Sequence, residues 1–225
     1  MDGVRQLLGN SLSEPENRNV RPGSPRLVVP PIFGQHRSDR SASVELLSHR
    51  PLIAYVHHLL TSAESRHLAR RASAATRGDA RMVTMSESGR YSGDRVLRSL
   101  QRRLVELSNR SVEHLEPMTA VLCRRGQRLR QHWDAEEYPP DLRESGQSVI
   151  SFFVHLTTLT EADGGALVFP RLGLEVQPVA GDAVCWLNVT PSGRVLRKTL
   201  HFGGEVTSDV EKWAINVWIR ERPSR

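Results

Sequence analysis

The sequence predicts a mainly β domain with flanking helices, built as an antiparallel sandwich or jelly roll. Three observations predict it. Short alternating or β-branched segments fill the chain from about residue 118 onward. Two helical patterns come before them, and no others are evident. A Gly-rich phosphate loop and a βαβ alternation are both missing from the 225 residues, which sets nucleotide-binding folds aside.

Taken in order, residues 1–42 are rich in Pro, Ser, Asn and Arg, with Pro15, Pro22, Pro25, Pro30 and Pro31. Such a composition buries little apolar surface and reads as an N-terminal arm, which Val28, Val29, Ile32 and Phe33 could pin to a domain over 43–225. Pro51 to Val56 is a short apolar run, read as a strand. Thr61-Ser62-Ala63-Glu64 is a capping-box pattern that opens a helix to about Ala72. Arg81 to Thr84 is a weak strand. After Ser92-Gly93-Asp94, Leu97, Leu100, Leu104 and Leu107 fall on one face of a helix ending near Asn109. Met118 to Cys123 alternates as a strand, and Gly126-Gln127 turns it into the next. Val149 to Leu159 is β-branched and aromatic, the pattern of a strand buried on both faces. Asp163-Gly164-Gly165 and Ala180-Gly181-Asp182 mark turns, Ala183 to Val189 is a strand, and Lys212 to Ile219 alternates as a two-faced one. The sum is two helices and roughly eight strands.

Composition narrows the function classes. Hydrophobic residues make up 38% and charged residues 25%, enough for one core. No apolar run approaches the ~20 residues of a membrane-spanning helix, and the first thirty residues hold no signal-peptide h-region. Two cysteines, Cys123 and Cys185, make neither a disulfide framework nor a zinc knuckle, so a reducing, cytoplasmic location is expected. A net charge of +6 invites a nucleic-acid reading. Its distribution argues against one. The arginines are spread along the chain, and the Arg124 to Arg130 cluster lacks interleaved aromatics to stack bases.

The chemistry lies in His132-Trp133-Asp134, His201 and Lys212. In an extended strand, residues i and i+2 point the same way, so His132 and Asp134 can offer an imidazole and a carboxylate to one point. His201 supplies a second imidazole from another strand. Two His and one carboxylate on one face of a metal leave positions open, as non-haem Fe(II) oxygenases require. A 2-oxoglutarate can fill two of those positions, and O₂ another. Lys212, one of two lysines in the chain, is placed to pair with the distal carboxylate. The remaining histidines, His36, His49, His57, His58, His67, His114 and His155, read as surface or satisfied core residues; His57 and His58 would face opposite sides of a strand.

From about Val44 to Pro223 the chain resembles the catalytic domain of prolyl 4-hydroxylases, Fe(II)/2-oxoglutarate dioxygenases. The resemblance runs through ELLSHRPLIAYVHHLLTSAES, GQRLRQHWD, the double-glycine hairpin with Phe-Pro and P-x-x-G-D-A in FFVHLTTLTEADGGALVFPRLGLEVQPVAGDAVCWLN, and TLHFGGEVTSDVEKWAINVWIRER. It implies a double-stranded β-helix, with His132, Asp134 and His201 as iron ligands and Lys212 as the 2-oxoglutarate anchor. It also implies O₂ and ascorbate as co-reactants, and a prolyl residue as substrate. Departures accompany it. Cys123 stands where the family has a Tyr holding 2-oxoglutarate, and Leu167 where the hairpin has Thr. Leu129 replaces a Tyr lining the substrate cleft, and Ser148 an Arg opening the long strand. Trp218 shares the parity of Lys212 and would wall the same pocket. The gap from His201 to Lys212 is about one residue longer than the family pattern. Lost hydrogen-bond donors weaken the prolyl reading more than the iron chemistry. Two rivals therefore stand beside it: the same chemistry on an amino acid or other small molecule, and a degenerate fold that binds a peptide without turnover. Oligomeric state is open.

Overall fold

The computed structural model describes residues 42–135 and 146–223. The arm, with Val28, Val29, Ile32 and Phe33, lies outside the described residues apart from Ala42. Eleven strands are described: β1 (Ser43–His49), β2 (Leu52–His57), β3 (Met82–Thr84), β4 (Thr119–Cys123), β5 (Leu129–His132), β6 (Ser148–His155), β7 (Leu167–Phe169), β8 (Leu174–Val176), β9 (Ala183–Leu187), β10 (His201–Gly203) and β11 (Lys212–Arg220). The helices are α1 (Ser62–Ala75) and α2 (Arg95–Ser108). The pairings between these strands are all antiparallel. They form a seven-stranded sheet, β1-β2-β9-β6-β11-β4-β3, and a four-stranded sheet, β5-β10-β7-β8.

Local chemistry accounts for the helices. Thr61 caps α1 through a full capping box, its hydroxyl taking the Glu64 N–H while Glu64 accepts from the Thr61 N–H. Asp94 caps α2 by accepting from the Val96 and Leu97 amides, and Asn109 ends it in the left-handed region at φ 50°. Leu68 and Ala72 of α1 and Leu97, Leu100, Leu104 and Leu107 of α2 pack on one face of the large sheet, against Ala120, Leu122, Phe152, Val154, Ile215 and Val217. Each Leu buried this way contributes ~1.5–3 kcal/mol of transfer free energy. The other face of that sheet meets the small sheet. Ile53, Phe153, Val184, Trp186 and Ala214 pack there against Leu167, Phe169, Leu174 and Val176. A strand covered by helices on one side and a sheet on the other is buried on both faces, which explains the uninterrupted burial of β6.

Several expectations need correcting. β1 escapes the sequence pattern because it is an edge strand, half-buried along most of its length and ordered by pairing with β2. β7, β8 and β10 have three residues each, too short for a period to be read. β6 stops at His155 rather than reaching Leu159, whose amide turns aside to the Pro178 carbonyl. His57 and His58 do not oppose one another on a strand. His58 leaves β2 at φ 55°, and its amide donates to Asp182. Among the described residues no helix is long and apolar enough to cross a membrane.

Candidate metal and oxo-acid site

His132 ends β5 and His201 begins β10, and the two are direct cross-strand partners in the small sheet. Pairing alone therefore brings their rings together, with centroids 4.3 Å apart. Each ring is aimed by its own backbone. His132 Nδ1 is 2.7 Å from the Arg130 carbonyl, and His201 Nδ1 is 2.9 Å from the Thr199 carbonyl. A carbonyl only accepts, so both Nδ1 atoms carry the proton and both Nε2 atoms face the third residue. Asp134 Oδ1 lies 3.4 Å from His132 Nε2 and 3.7 Å from His201 Nε2. Asp134 is not in the strand, as the i, i+2 argument assumes; the chain bends after His132, and that bend carries the carboxylate inward.

The cluster is asymmetric. The Asp134 side chain is 1% exposed and His201 6%, whereas His132 is 42% exposed and reaches solvent. Trp186 stacks edge-on to His201 at 4.8 Å, and Phe169 lies 5.6 Å away. Trp133, beside the opening, has the guanidinia of Arg171 and Arg197 over its ring at 5.3 and 5.1 Å. Burial pushes the Asp134 pKa up, but nearby His132, the His201 charge and the Ser151 hydroxyl outweigh it and leave it below the usual range. The Asp134 contact raises the His132 pKa, and burial lowers that of His201.

Ser151 of β6 donates to Asp134 Oδ2 at 2.6 Å, and Asn188 Nδ2 donates to Ser151 Oγ at 2.7 Å. Asp134 Oδ1 is buried with no hydrogen-bond partner. A buried carboxylate oxygen left this way is costly unless a cation meets it. These three donor atoms, all within 4.8 Å of one another, fit a divalent metal whose remaining positions stay open. Ser151→Ala should lower Mn(II) affinity about tenfold with the fold intact, measured by titration. An unchanged affinity would show that Asp134 is oriented without it.

The other expected site residues divide. Lys212 opens β11 directly across from Cys123 of β4, and the pair shares the inter-sheet face. Lys212 is 2% exposed, and its Nζ has no hydrogen-bond partner. Burial pulls its pKa down to about 8, with Cys123 opposing. Its alkyl chain passes Gly165, which stands at φ +72°; a Cβ there would lie 3.3 Å from Lys212 Cδ and 2.7 Å from Leu159 Cδ1. Cys123 is buried, and Arg81 Nη2 donates to its sulfur at 3.5 Å. Leu167, 1% exposed, belongs to the apolar packing between the sheets. Leu129 of β5 is half-buried against that packing. Trp218 is the cross-strand partner of Ser151, and its indole N–H is buried without an acceptor. Ser148 is not brought to the cluster: it sits past a bulge in β6 and donates to Glu116, which pairs with Arg220. The basic cluster is a solvated face, with Arg124 on Glu211 and Arg125 on Asp209. Ser151, His155 and Asn188 escaped sequence reading. The signal available for Ser151 and His155 was a polar residue inside an otherwise apolar, doubly buried strand.

Comparison with known proteins agrees with this geometry. A model described as the 2OG-Fe(II) oxygenase superfamily matches residues 118–220, and over that stretch the chain resembles a 2-oxoglutarate-dependent dioxygenase. Its sequence relatives are prolyl 4-hydroxylases. It is 26% identical over 221 residues to probable prolyl 4-hydroxylase 10 of Arabidopsis thaliana, covering 83% of this chain and 75% of that protein. It is 30% identical over 131 residues to prolyl 4-hydroxylase subunit alpha-2 of Gallus gallus, covering 57% of this chain and 24% of that one. The chain spans about half of Arabidopsis prolyl 4-hydroxylases 13 and 9, at 51% and 47%. By sequence similarity the chain is therefore prolyl 4-hydroxylase-like. In fold it is similar to a viral collagen prolyl hydroxylase from Paramecium Bursaria Chlorella virus-1, with TM-score 0.66 and 22% identity over 83% of this chain and 96% of that one. The superfamily match implies Fe(II), 2-oxoglutarate and O₂ as co-reactants.

Proposed function

We propose that the chain hydroxylates an unactivated C–H bond of a prolyl residue in a peptide, using His132, Asp134 and His201 to hold Fe(II) and Lys212 to anchor 2-oxoglutarate. One observation carries this reading. A buried Asp134 carboxylate oxygen and the buried Lys212 ammonium, both without hydrogen-bond partners, lie against the same face of β6, beside Ser151 and Phe153. Bound together, the metal and the oxo acid supply oxidative decarboxylation coupled to substrate hydroxylation, leaving succinate and CO₂.

The protein's part is positional. The Thr199 and Arg130 carbonyls hold both imidazoles in the tautomer that presents Nε2. Ser151 and Asn188 hold Asp134 by Oδ2 and leave Oδ1 free to bind. Phe169 and Trp186 exclude water from the His201 side, so substrate arrives over the exposed His132 edge, past Trp133 and Leu129. Trp218 walls the space beside Ser151, with Cys123 and Leu167 around Lys212. Ascorbate would restore iron after uncoupled turnovers. The catalytic unit is residues 43–225, acting in the cytoplasm, with 1–42 as its arm.

A second reading keeps the chemistry and changes the substrate to a small molecule. Leu129 favours it, because no aromatic hydroxyl at that position meets a peptide carbonyl. Incubating the protein with Fe(II), 2-oxoglutarate and proline-rich peptides should give a +16 mass product matched one-to-one by succinate. Peptides left unchanged while a metabolite mixture yields +16 products would favour the small-molecule reading. No succinate with any substrate would leave a binding module.

A further inference from the structure

His155 is 0% exposed, and neither ring nitrogen has a hydrogen-bond partner. It lies on the β6 face that carries Phe153 and Ser151, toward the space between the sheets. His155 is the cross-strand partner of Ala214, two residues along β11 from Lys212, so His155 and Lys212 are diagonal neighbours on one face. The Phe153 ring stands beside both, 5.4 Å from Lys212 Nζ and 5.4 Å edge-on from the His155 ring.

The two orphans are complementary to one object. Burial, then the nearby Lys212 charge, pulls the His155 pKa down to about 3, so the ring is neutral at working pH. A neutral imidazole offers one N–H donor and one acceptor, and an ammonium offers donors alone. A carboxylate accepts from both at once. The family-pattern positions serve it poorly: the Cys123 thiol is only a weak donor, with its sulfur accepting from Arg81, and the Leu167 side chain has no polar atom.

We propose that His155 is a second donor to the distal carboxylate of 2-oxoglutarate, sharing it with Lys212 and selecting a dicarboxylic oxo acid for this pocket. The inference rests on the assignment of Lys212 as anchor. It makes a further demand on stability, since an imidazole poised for an absent ligand is a liability in the unliganded fold.

The test uses the full chain loaded with Mn(II), with binding read by calorimetry and unfolding by thermal shift. Two probes are compared: 2-oxoglutarate, and pyruvate, which keeps the oxo-acid head and lacks the distal carboxylate. His155→Leu should weaken 2-oxoglutarate about tenfold or more while pyruvate stays within about twofold. The same variant, without ligand, should unfold at a higher temperature than wild type. His155→Gln, which keeps a donor, should hold 2-oxoglutarate within about threefold and covers the case in which the Leu variant fails to fold. Unchanged 2-oxoglutarate affinity in a folded His155→Leu, or equal losses for both probes, overturns the role of His155 alone. Wild-type protein that binds neither Mn(II) nor 2-oxoglutarate overturns the anchor assignment, and this inference with it.

Discussion

Asp134→Ala is expected to abolish both turnover and the stabilisation that Mn(II) and 2-oxoglutarate confer together. Asp134 is the anionic member of the cluster, and its Oδ1 is buried 3.4 and 3.7 Å from the two imidazoles with nothing else to bind. Removing it takes away the charge that holds a divalent cation in a site otherwise made of neutral rings. At ligand concentrations near 100 Kd, a bound pair stabilises a fold by about 2.7 kcal/mol. For a domain of this size that is a rise in Tm of roughly 5–10 °C. Wild type should show it, and the variant should show none. Asp134→Asn guards against misfolding, because it keeps an acceptor for Ser151 while losing the charge. A variant that retained the full shift and succinate formation would remove Asp134 from the metal site.

The second large effect concerns Lys212. Lys212→Met keeps the buried volume and removes the ammonium, so the 2-oxoglutarate KM should rise roughly tenfold to a hundredfold. The effect on kcat should be much smaller. The pH dependence has a definite sign. Lys212 grips a carboxylate only when protonated, and burial lowers its pKa to about 8 in the unliganded fold. Wild-type affinity for 2-oxoglutarate should therefore fall as pH rises above about 8, and Lys212→Met should lose that dependence. Stability of the unliganded protein should move the opposite way. Between about 8 and the ordinary lysine value of 10.5 the unfolded chain binds the extra proton, so stability contributed through Lys212 grows with pH across that window. His155 on β6 does not supply this trend, because it is neutral throughout the window, with its pKa near 3. A KM that is flat with pH and unmoved in the variant would end the anchor role.

The cap at Thr61 and the leucine face of α2 were legible because each is a local code, a hydrogen bond within one turn or a period of 3.6. The H-x-D pair, His201 and Lys212 were legible as chemistry because two imidazoles and a carboxylate are a recognisable ligand set. Cys123, Leu129, Leu167, Ser148 and Trp218 were legible only as departures from or matches to a family pattern, and the fold treats them unequally. It sets Cys123 across from Lys212, and spends Ser148 on Glu116.

What the sequence determined by itself was the local pattern and the inventory of reactive groups, since both depend on neighbours a few residues apart. What only the tertiary structure decided was which distant groups meet and which are left without partners. His132 faces His201 because β5 and β10 pair with these two residues directly opposed, and Asp134 turns inward at a bend no periodicity marks. Ser151 meets Asp134 and Asn188 across separations of 17 and 37 residues, and His155 comes beside Lys212 only through the pairing of β6 with β11. An unsatisfied buried atom is a property of three-dimensional surroundings, and a linear string of residues does not carry it.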